Sequence, residues 1–282
     1  MTLQQWVEKG EALLRVGPHP EQARRDAESL LLHLIRRERA ALLARWKEVL
    51  AEEEAGIYVA MLMRRAAGEP MQHIFGETEF YGLPFRVTPD VLIPRPETEH
   101  LVEVVLEKAR GLDTPRIVDV GVGSGVVAVA LARALPDASI TAIDISAPAL
   151  LIAEENAARN RVAGRIRFLR GSLLAAVASE CFDIVASNPP YVPAGDRATL
   201  AVEVRDHEPG VALFAGADGL DVIRRLIPEA FAALIPGGWL AMEFGYAQGP
   251  AVGELLLGAS FEQIEFTADL QGIPRVACAR RP

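Results

Sequence analysis

The chain has 282 residues, half of them hydrophobic, and a net charge of −9. That is enough apolar material for one large domain and a smaller one. The acidic balance argues against a surface that tracks a nucleic-acid backbone, and no apolar run approaches the roughly 18 to 20 residues that span a bilayer.

The N-terminus lacks a basic segment followed by an apolar stretch, so a soluble, cytoplasmic protein with no membrane partner is expected. Cys181 and Cys278 each sit in a short apolar, strand-like run. They form neither a metal-ligand spacing nor a disulfide framework. Both are expected to be small buried residues, and no metal site is expected.

Residues 1–70 predict helices. Thr2 with Gln5 is a capping-box pattern, and Leu3, Trp6, Val7, Leu13 and Leu14 share an apolar face. Gly17-Pro18 breaks that helix, and Pro20 suits the first turn of the next. The stripe of the second helix is Ala23, Ala27, Leu30, Leu31, Leu34 and Ile35. Helical patterns continue over 40–47 and 51–67, until Gly68 and Pro70 end the run. Arg24, Arg25, Arg36, Arg37 and Arg39 read as a solvated helix face. The region holds no acid/base constellation. It reads as a small domain that docks a partner, the alternative being a structural cap.

Residues 71–93 read as a hairpin-like connector. Met71–Phe75, Glu79–Tyr81 and Phe85–Val87 are short extended patterns punctuated by Gly76, Gly82 and Pro84. Phe80 and Tyr81 serve either packing or the wall of a substrate channel, and packing is the simpler reading.

Residues 94–282 form the larger domain. From about residue 115 strands and helices alternate: strand 116–120, helix 126–134, strand 139–143, helix 147–160, strands 166–169 and 182–186, helix 221–234, strand 239–244. Such alternation implies an α/β fold, a parallel sheet covered by helices on both faces. The strand-like segments 261–266 and 275–279 are joined by a short break, which predicts an antiparallel pair at the sheet edge.

Gly121-Val122-Gly123-Ser124-Gly125 follows the first of these strands and opens a helix. Glycines let the backbone turn sharply and approach a ligand closely. The third glycine comes one residue too early for a nicotinamide fingerprint. Gly-x-Gly-x-Gly after an acid resembles instead the first motif of Rossmann-like methyltransferases, which use S-adenosylmethionine. Asp144 ends the next strand, where an acid can accept both ribose hydroxyls of an adenosine. Its alternative role is to cap the following helix. Asp119 either positions the glycine loop, meets the amino group of the ligand, or caps a strand end. Methyltransferases of this kind often place an acid near Ser172 to hold the adenine amino group. Ser172 lacks that charge, so weaker or backbone-mediated recognition is expected there.

The strand 182–186 runs into Ser187-Asn188-Pro189-Pro190-Tyr191. Paired prolines stop the strand and stiffen the turn. Asn-Pro-Pro-Tyr resembles the acceptor motif of methyltransferases that act on planar nitrogens, the exocyclic amines of bases and the amide of glutamine. A planar NH2 is a poor nucleophile because its lone pair is conjugated. Two fixed acceptors, the Asn188 side-chain oxygen and the Pro189 carbonyl, can take both its N–H groups and aim the nitrogen. Tyr191 can pack against the planar group. Catalysis is then alignment and preorganised electrostatics.

Val91 to Glu99, containing Arg95-Pro96-Glu97-Thr98-Glu99, lies just before this core, and Gly76 to Gly82 precedes it. With Glu208-Pro209, Ala212-Leu213, Gly237-Gly238, and Asp269-Leu270 through Arg275-Val276, the pattern closely resembles the release factor glutamine methyltransferase family over nearly the whole chain. The resemblance implies a class I methyltransferase sheet and S-adenosylmethionine as cofactor. The implied substrate is the glutamine of the Gly-Gly-Gln motif in peptide-chain release factors. It assigns Asn188, Pro189 and Tyr191 to catalysis, and Asn188, Pro189, Pro190 and Tyr191 to substrate binding. Cofactor binding falls to Gly121, Val122, Gly123, Ser124, Gly125, Asp144, Ser172, Leu173 and Asn188. Relatives often carry an aromatic at Leu173, so either an adenine-stacking contact is missing or the bulky aliphatic covers the ring in its place. Glu97 and Thr98 lie either near the cofactor or simply at a helix N-terminus. The nearest rival is a glutamine methyltransferase of a ribosomal protein. A further one is an adenine-N-methyltransferase on nucleic acid, which the charge and the lack of a target-recognition domain disfavour.

Overall fold

The computed structural model describes residues 1–282, the side chains of residues 41 and 43 apart. In chain order the helices and strands are α1 (Leu3–Leu14), α2 (Ala23–Ile35), α3 (Arg39–Ala44), α4 (Glu52–Ala66), α5 (Met71–Phe75), β1 (Glu77–Phe80), β2 (Leu83–Arg86), α6 (Glu99–Lys108), β3 (Arg116–Val120) and α7 (Val126–Ala134). There follow β4 (Ser139–Asp144), α8 (Ala147–Arg159), β5 (Ile166–Arg170), β6 (Phe182–Ser187), α9 (Val202–His207), α10 (Asp221–Ala233), β7 (Leu234–Glu243), α11 (Gly249–Gly258), β8 (Glu262–Ala268) and β9 (Pro274–Arg280). They form two compact units.

The first unit comprises residues 1–76 together with 200–207. The Thr2 hydroxyl accepts the Gln5 N–H and the Gln5 side chain accepts the Thr2 N–H, a complete capping box on α1. The stripes of α1 and α2 meet α4 in a core that includes Trp6, Leu30, Leu31, Tyr58 and Leu62. The Tyr58 hydroxyl, buried, donates to the Ala27 carbonyl at 2.9 Å. Residues 71–75, expected to be extended, are helix α5. Pro70 sits at its N-cap, and Gly76, at φ 74°, closes it by donating its N–H to Gln72. The Arg65 guanidinium is buried and donates to Asp26 at 2.7 Å and to Glu203 at 2.9 Å, so α9 is held within this unit.

The second unit comprises residues 77–199 and 208–282. Its seven-stranded sheet has the order β5-β4-β3-β6-β7-β9-β8. The first five of these strands are parallel; β9 runs antiparallel to both β7 and β8. Period-2 alternation distributes the core between the two faces. Ile117, Ile184 and Ala241 face one helical layer, with Leu101, Val127 and Leu131. Val118, Val185, Leu240 and Met242 face the other, with Ile223, Leu226, Val252 and Leu256. Cys278 is buried in β9, whereas Cys181 is exposed, because it precedes β6 and lies outside the paired strand. Phe80 is buried in the core and Tyr81 packs against it, in agreement with the packing reading. Among the described residues, no helix is long and apolar enough to cross a membrane, and no cluster of His, Cys, Asp or Glu could hold a metal.

Asn156 on α8 is fully buried and acts as a polar rivet. Its Oδ1 accepts the Arg86 N–H at 2.7 Å, and its Nδ2 donates to the carbonyls of Arg86 and Ser124 at 2.9 and 2.8 Å. It thereby ties the β1–β2 hairpin to the glycine loop. Asn156→Ala strands the buried Ser124 carbonyl and two part-buried groups of Arg86, and the expected loss is roughly 1 to 3 kcal/mol. Chemical denaturation would measure it, and a loss below about 1 kcal/mol would mean that the rivet does not bear on stability.

Asp119, on β3, is 1% exposed and accepts the Ala128 N–H at 3.1 Å, which joins the strand to the first turn of α7. Burial, reinforced by the nearby Asp144, pushes its carboxyl from 3.8 up to about 7. The folded protein therefore keeps a proton that the unfolded chain releases, and stability from this group falls as pH rises through that window. Asp119→Asn keeps the acceptor and removes the charge. It is expected to raise the unfolding temperature of the ligand-free protein at pH 8, with the gain shrinking by pH 5. An equal shift at both values would contradict the argument.

Candidate active site

The strand order reverses direction at β3 and β6. The chain leaves β3 through α7 towards β4 on one side, and leaves β6 towards α10 and β7 on the other. Ligands of open α/β sheets bind at such a crevice, outside the carboxyl ends of the strands. Val120 and Ser187 are register partners, and the Ser187 hydroxyl donates to the Val120 carbonyl at 2.7 Å. The residues that follow, Gly121 and Asn188, are therefore neighbours. A Cβ on Gly121 would stand 3.9 Å from the Asn188 carbonyl oxygen.

A cavity of about 320 Å³ opens there. It is lined by Gly121, Val122, Gly123 and Ser124 after β3, by Asp144 and Ile145 after β4, and by Ser172 and Leu173 after β5. Asn188, Pro189 and Pro190 line it after β6. The ends of four adjacent strands span roughly 14 Å, long enough for a nucleoside with a side arm.

The residues fit such a ligand. The Asp144 carboxylate is aimed by two backbone donors, Gly123 N–H at 2.9 Å and Ser146 N–H at 2.8 Å, one on each oxygen. Each oxygen keeps a further lone pair for a ribose hydroxyl. Gly121 and Gly123 have φ of 78° and 53°, and no neighbouring atom crowds the Cβ position of Gly123, so the loop backbone lies open to the cavity. Gly125 does not line the cavity. It adopts φ 87°, and a Cβ there would meet Ala153 at 3.1 Å, so this glycine allows close packing of α7 on α8.

At the β5 end, Ser172 Oγ accepts from the Arg225 guanidinium at 3.1 Å, and both residues line the cavity. A base placed there meets a hydroxyl and a guanidinium in place of a carboxylate. Leu173 adopts φ 49°, unusual for a leucine, and presents an aliphatic wall.

The Asn-Pro-Pro-Tyr turn is held from behind. Asn188 Nδ2 donates to the Thr98 hydroxyl oxygen at 3.0 Å, and the Thr98 hydroxyl donates to Glu243 Oε2 at 2.6 Å. The Tyr191 hydroxyl donates to Glu243 Oε1 at 3.1 Å. Tyr191 does not line the cavity; its ring packs against the core, and its carbonyl accepts from Gln248 at 3.0 Å. Thr98 and Glu243 are 2% and 1% exposed. Burial raises the Glu243 carboxyl above the usual carboxylate range, and it raises the Tyr191 phenol.

Glu243 escaped the sequence reading, since a single acid at the end of an apolar strand carries no motif. Thr98, expected either near the cofactor or at a helix start, precedes α6 and lines the cavity. Glu97 does not line the cavity. The other segments of the resemblance meet in pairs. Arg95 donates to both oxygens of the buried Glu208 at 2.7 and 2.9 Å, Glu99 accepts the Tyr81 N–H at 2.8 Å, and Asp269 pairs with Arg275 at 3.0 Å.

Comparison with known proteins agrees with this architecture. Residues 96–204 match the family described as methyltransferase small domain, and residues 5–76 match the family described as PrmC N-terminal domain. The chain is 41% identical to the release factor glutamine methyltransferase of Koribacter versatilis, over 100% of this chain and 99% of the relative. It is 44% identical to the protein of that name from Deinococcus radiodurans, over 95% and 94% of the two chains. Among solved structures, a ribosomal protein L11 methylase from Lactobacillus delbrueckii subsp. bulgaricus superposes with a TM-score of 0.51 at 26% identity, over 70% of this chain and 86% of that one. The two near full-length likenesses above 40% identity settle the assignment: the chain belongs to the release factor glutamine methyltransferase family.

Proposed function

We propose that this protein methylates the side-chain amide nitrogen of the glutamine in the Gly-Gly-Gln motif of peptide-chain release factors, with S-adenosylmethionine as methyl donor. Membership of the family supports the acceptor and the donor. The single observation that carries the chemistry is the state of Asn188. Its NH2 is committed to Thr98, so its Oδ1 is left to accept, and Asn188, Pro189 and the glycine loop line the same cavity.

When bound, S-adenosylmethionine supplies a methyl group on a sulfonium, an electrophile that needs no further activation. Asp144 binds the ribose hydroxyls, and the backbone of residues 121–124 supports the remainder of the donor. Asn188 Oδ1 and the Pro189 carbonyl each accept one N–H of the substrate amide. They fix its plane and turn the nitrogen lone pair towards the donor, and they stabilise the positive charge that grows on the nitrogen as the new bond forms. A proton leaves the nitrogen once the methyl has been transferred. The prolines stiffen the turn, so the two acceptors need little reorganisation.

The helical unit, residues 1–76 with 200–207, is the proposed docking body for the release factor. The proposed substrate, a component of the translation machinery, supports a cytoplasmic location. The rival reading, a ribosomal-protein glutamine, is separated by substrate.

Incubation with labelled S-adenosylmethionine and separate release factors, ribosomal proteins and DNA, followed by mass spectrometry, should place the label on the Gly-Gly-Gln glutamine. Label confined to another substrate would overturn the proposal. Asn188→Ala is expected to abolish nearly all transfer while S-adenosylhomocysteine still binds in calorimetry. Asp144→Ala should weaken that binding by roughly 1.5 to 3 kcal/mol, the value of a charge-assisted hydrogen bond. Unchanged affinity would remove the ribose assignment.

A further inference from the structure

We infer that Glu243, acting through the Thr98 hydroxyl, decides which end of the Asn188 carboxamide faces the acceptor, so that Glu243 and Thr98 are positioning residues for methyl transfer. The inference rests on the proposed function and adds to it the reason why Asn188 presents oxygen.

An ionised carboxylate only accepts. Both Glu243 oxygens are used, Oε1 by the Tyr191 hydroxyl and Oε2 by the Thr98 hydroxyl. Thr98 has one proton, and it is spent on Glu243. Towards Asn188 the Thr98 oxygen can therefore only accept, which demands the carboxamide NH2 on that side. The Oδ1 end must then point the other way, into the cavity where the acceptor amide needs it.

If Glu243 becomes neutral, the constraint is lost. A protonated carboxyl can donate to Thr98, the Thr98 proton then turns to Asn188, and the carboxamide flips. An NH2 now faces the NH2 of the substrate, and two donors meet with no acceptor between them. Burial makes this sequence consequential. Glu243 and Thr98 are nearly inaccessible, so no solvent competes for the chain of bonds. In such surroundings each hydrogen bond also polarises the next, and negative charge on Glu243 strengthens Asn188 Oδ1 as an acceptor.

The charged groups acting on this carboxylate come from several elements. Glu97 raises its pKa, and Arg275, at the start of β9, lowers it. Tyr191 donates to it from the acceptor turn, and the phenol in turn feels Arg275 and Arg95. Burial outweighs the favourable contacts and lifts the carboxyl. The relay is intact above that raised pKa and is lost as pH falls through it, so kcat should show an acid limb.

The test compares wild type with Glu243→Gln, Thr98→Val and Thr98→Ser, using the intact protein, a release factor and S-adenosylmethionine. Thr98→Val keeps the shape of the side chain and removes the hydroxyl, so it tests the relay even if Glu243→Gln fails to fold. Both variants are expected to lose kcat by roughly 10- to 100-fold. KM for the release factor and calorimetric affinity for S-adenosylhomocysteine should stay within about three-fold. Thr98→Ser should recover most of the lost rate, and the acid limb of kcat should disappear in Thr98→Val. An unchanged kcat in Thr98→Val would overturn the inference. So would a loss that falls equally on S-adenosylhomocysteine affinity, which would make the pair a structural support only. Absence of methylation by wild type itself would instead refute the proposed function, so the two failures are distinguishable.

Discussion

The parallel pairing of β3 with β6 is the constraint on which the site depends. Strands far apart in the chain lie side by side, with Val120 opposite Ser187, and the serine hydroxyl bonds the valine carbonyl across the pair. Register in a buried sheet is not free to slip, because a shift by one residue would exchange the two faces of the core. That fixed register sets the glycine loop beside the Asn-Pro-Pro turn. The proposed donor and acceptor sites are thus adjacent because two strands are hydrogen-bonded.

Behind this pair the protein invests in polar groups at buried positions, and each of them is satisfied by a specific partner. Asn156 closes the hairpin onto the glycine loop, Arg95 clamps Glu208, and Glu243 receives both Thr98 and Tyr191. A buried polar group left unmatched is costly, so such networks specify one arrangement. These groups share a location around the cavity and the turn. Methyl transfer to an amide needs no strong base, and these polar interactions hold the Asn-Pro-Pro-Tyr turn still.

The first unit shows the same logic in a helical setting. Its core is a set of apolar stripes, and the deeply buried Arg65 reaches Glu203, in a segment that follows the Asn-Pro-Pro turn in sequence. Residues 200–207 are therefore continuous with the site along the chain and belong to the helical unit by packing. This arrangement links the segment after the site covalently to the proposed docking body.

Local pattern was sufficient for much of the molecule. The capping box of α1, the alternation of strands and helices, the glycine loop, Asp144 and the Asn-Pro-Pro turn all declare themselves within a few residues, because each obeys a local rule of backbone geometry or period. Where composition obscured that rule, the reading fell short. Residues 71–75 carry β-like residues but are closed into a helix by Pro70 and Gly76, and α11 is built from Gly249-Pro250 onward with further glycines, with Val252 and Leu256 buried against the core. The roles of Gly125, Tyr191 and Glu243 were decided by tertiary structure alone. Gly125 serves a helix contact, Tyr191 turns inward to a carboxylate, and Glu243 meets Thr98 across 145 residues of chain. The sequence determined which groups are available and which local shapes they take. Only the fold could decide which proton each buried oxygen receives, since that depends on neighbours brought together by packing.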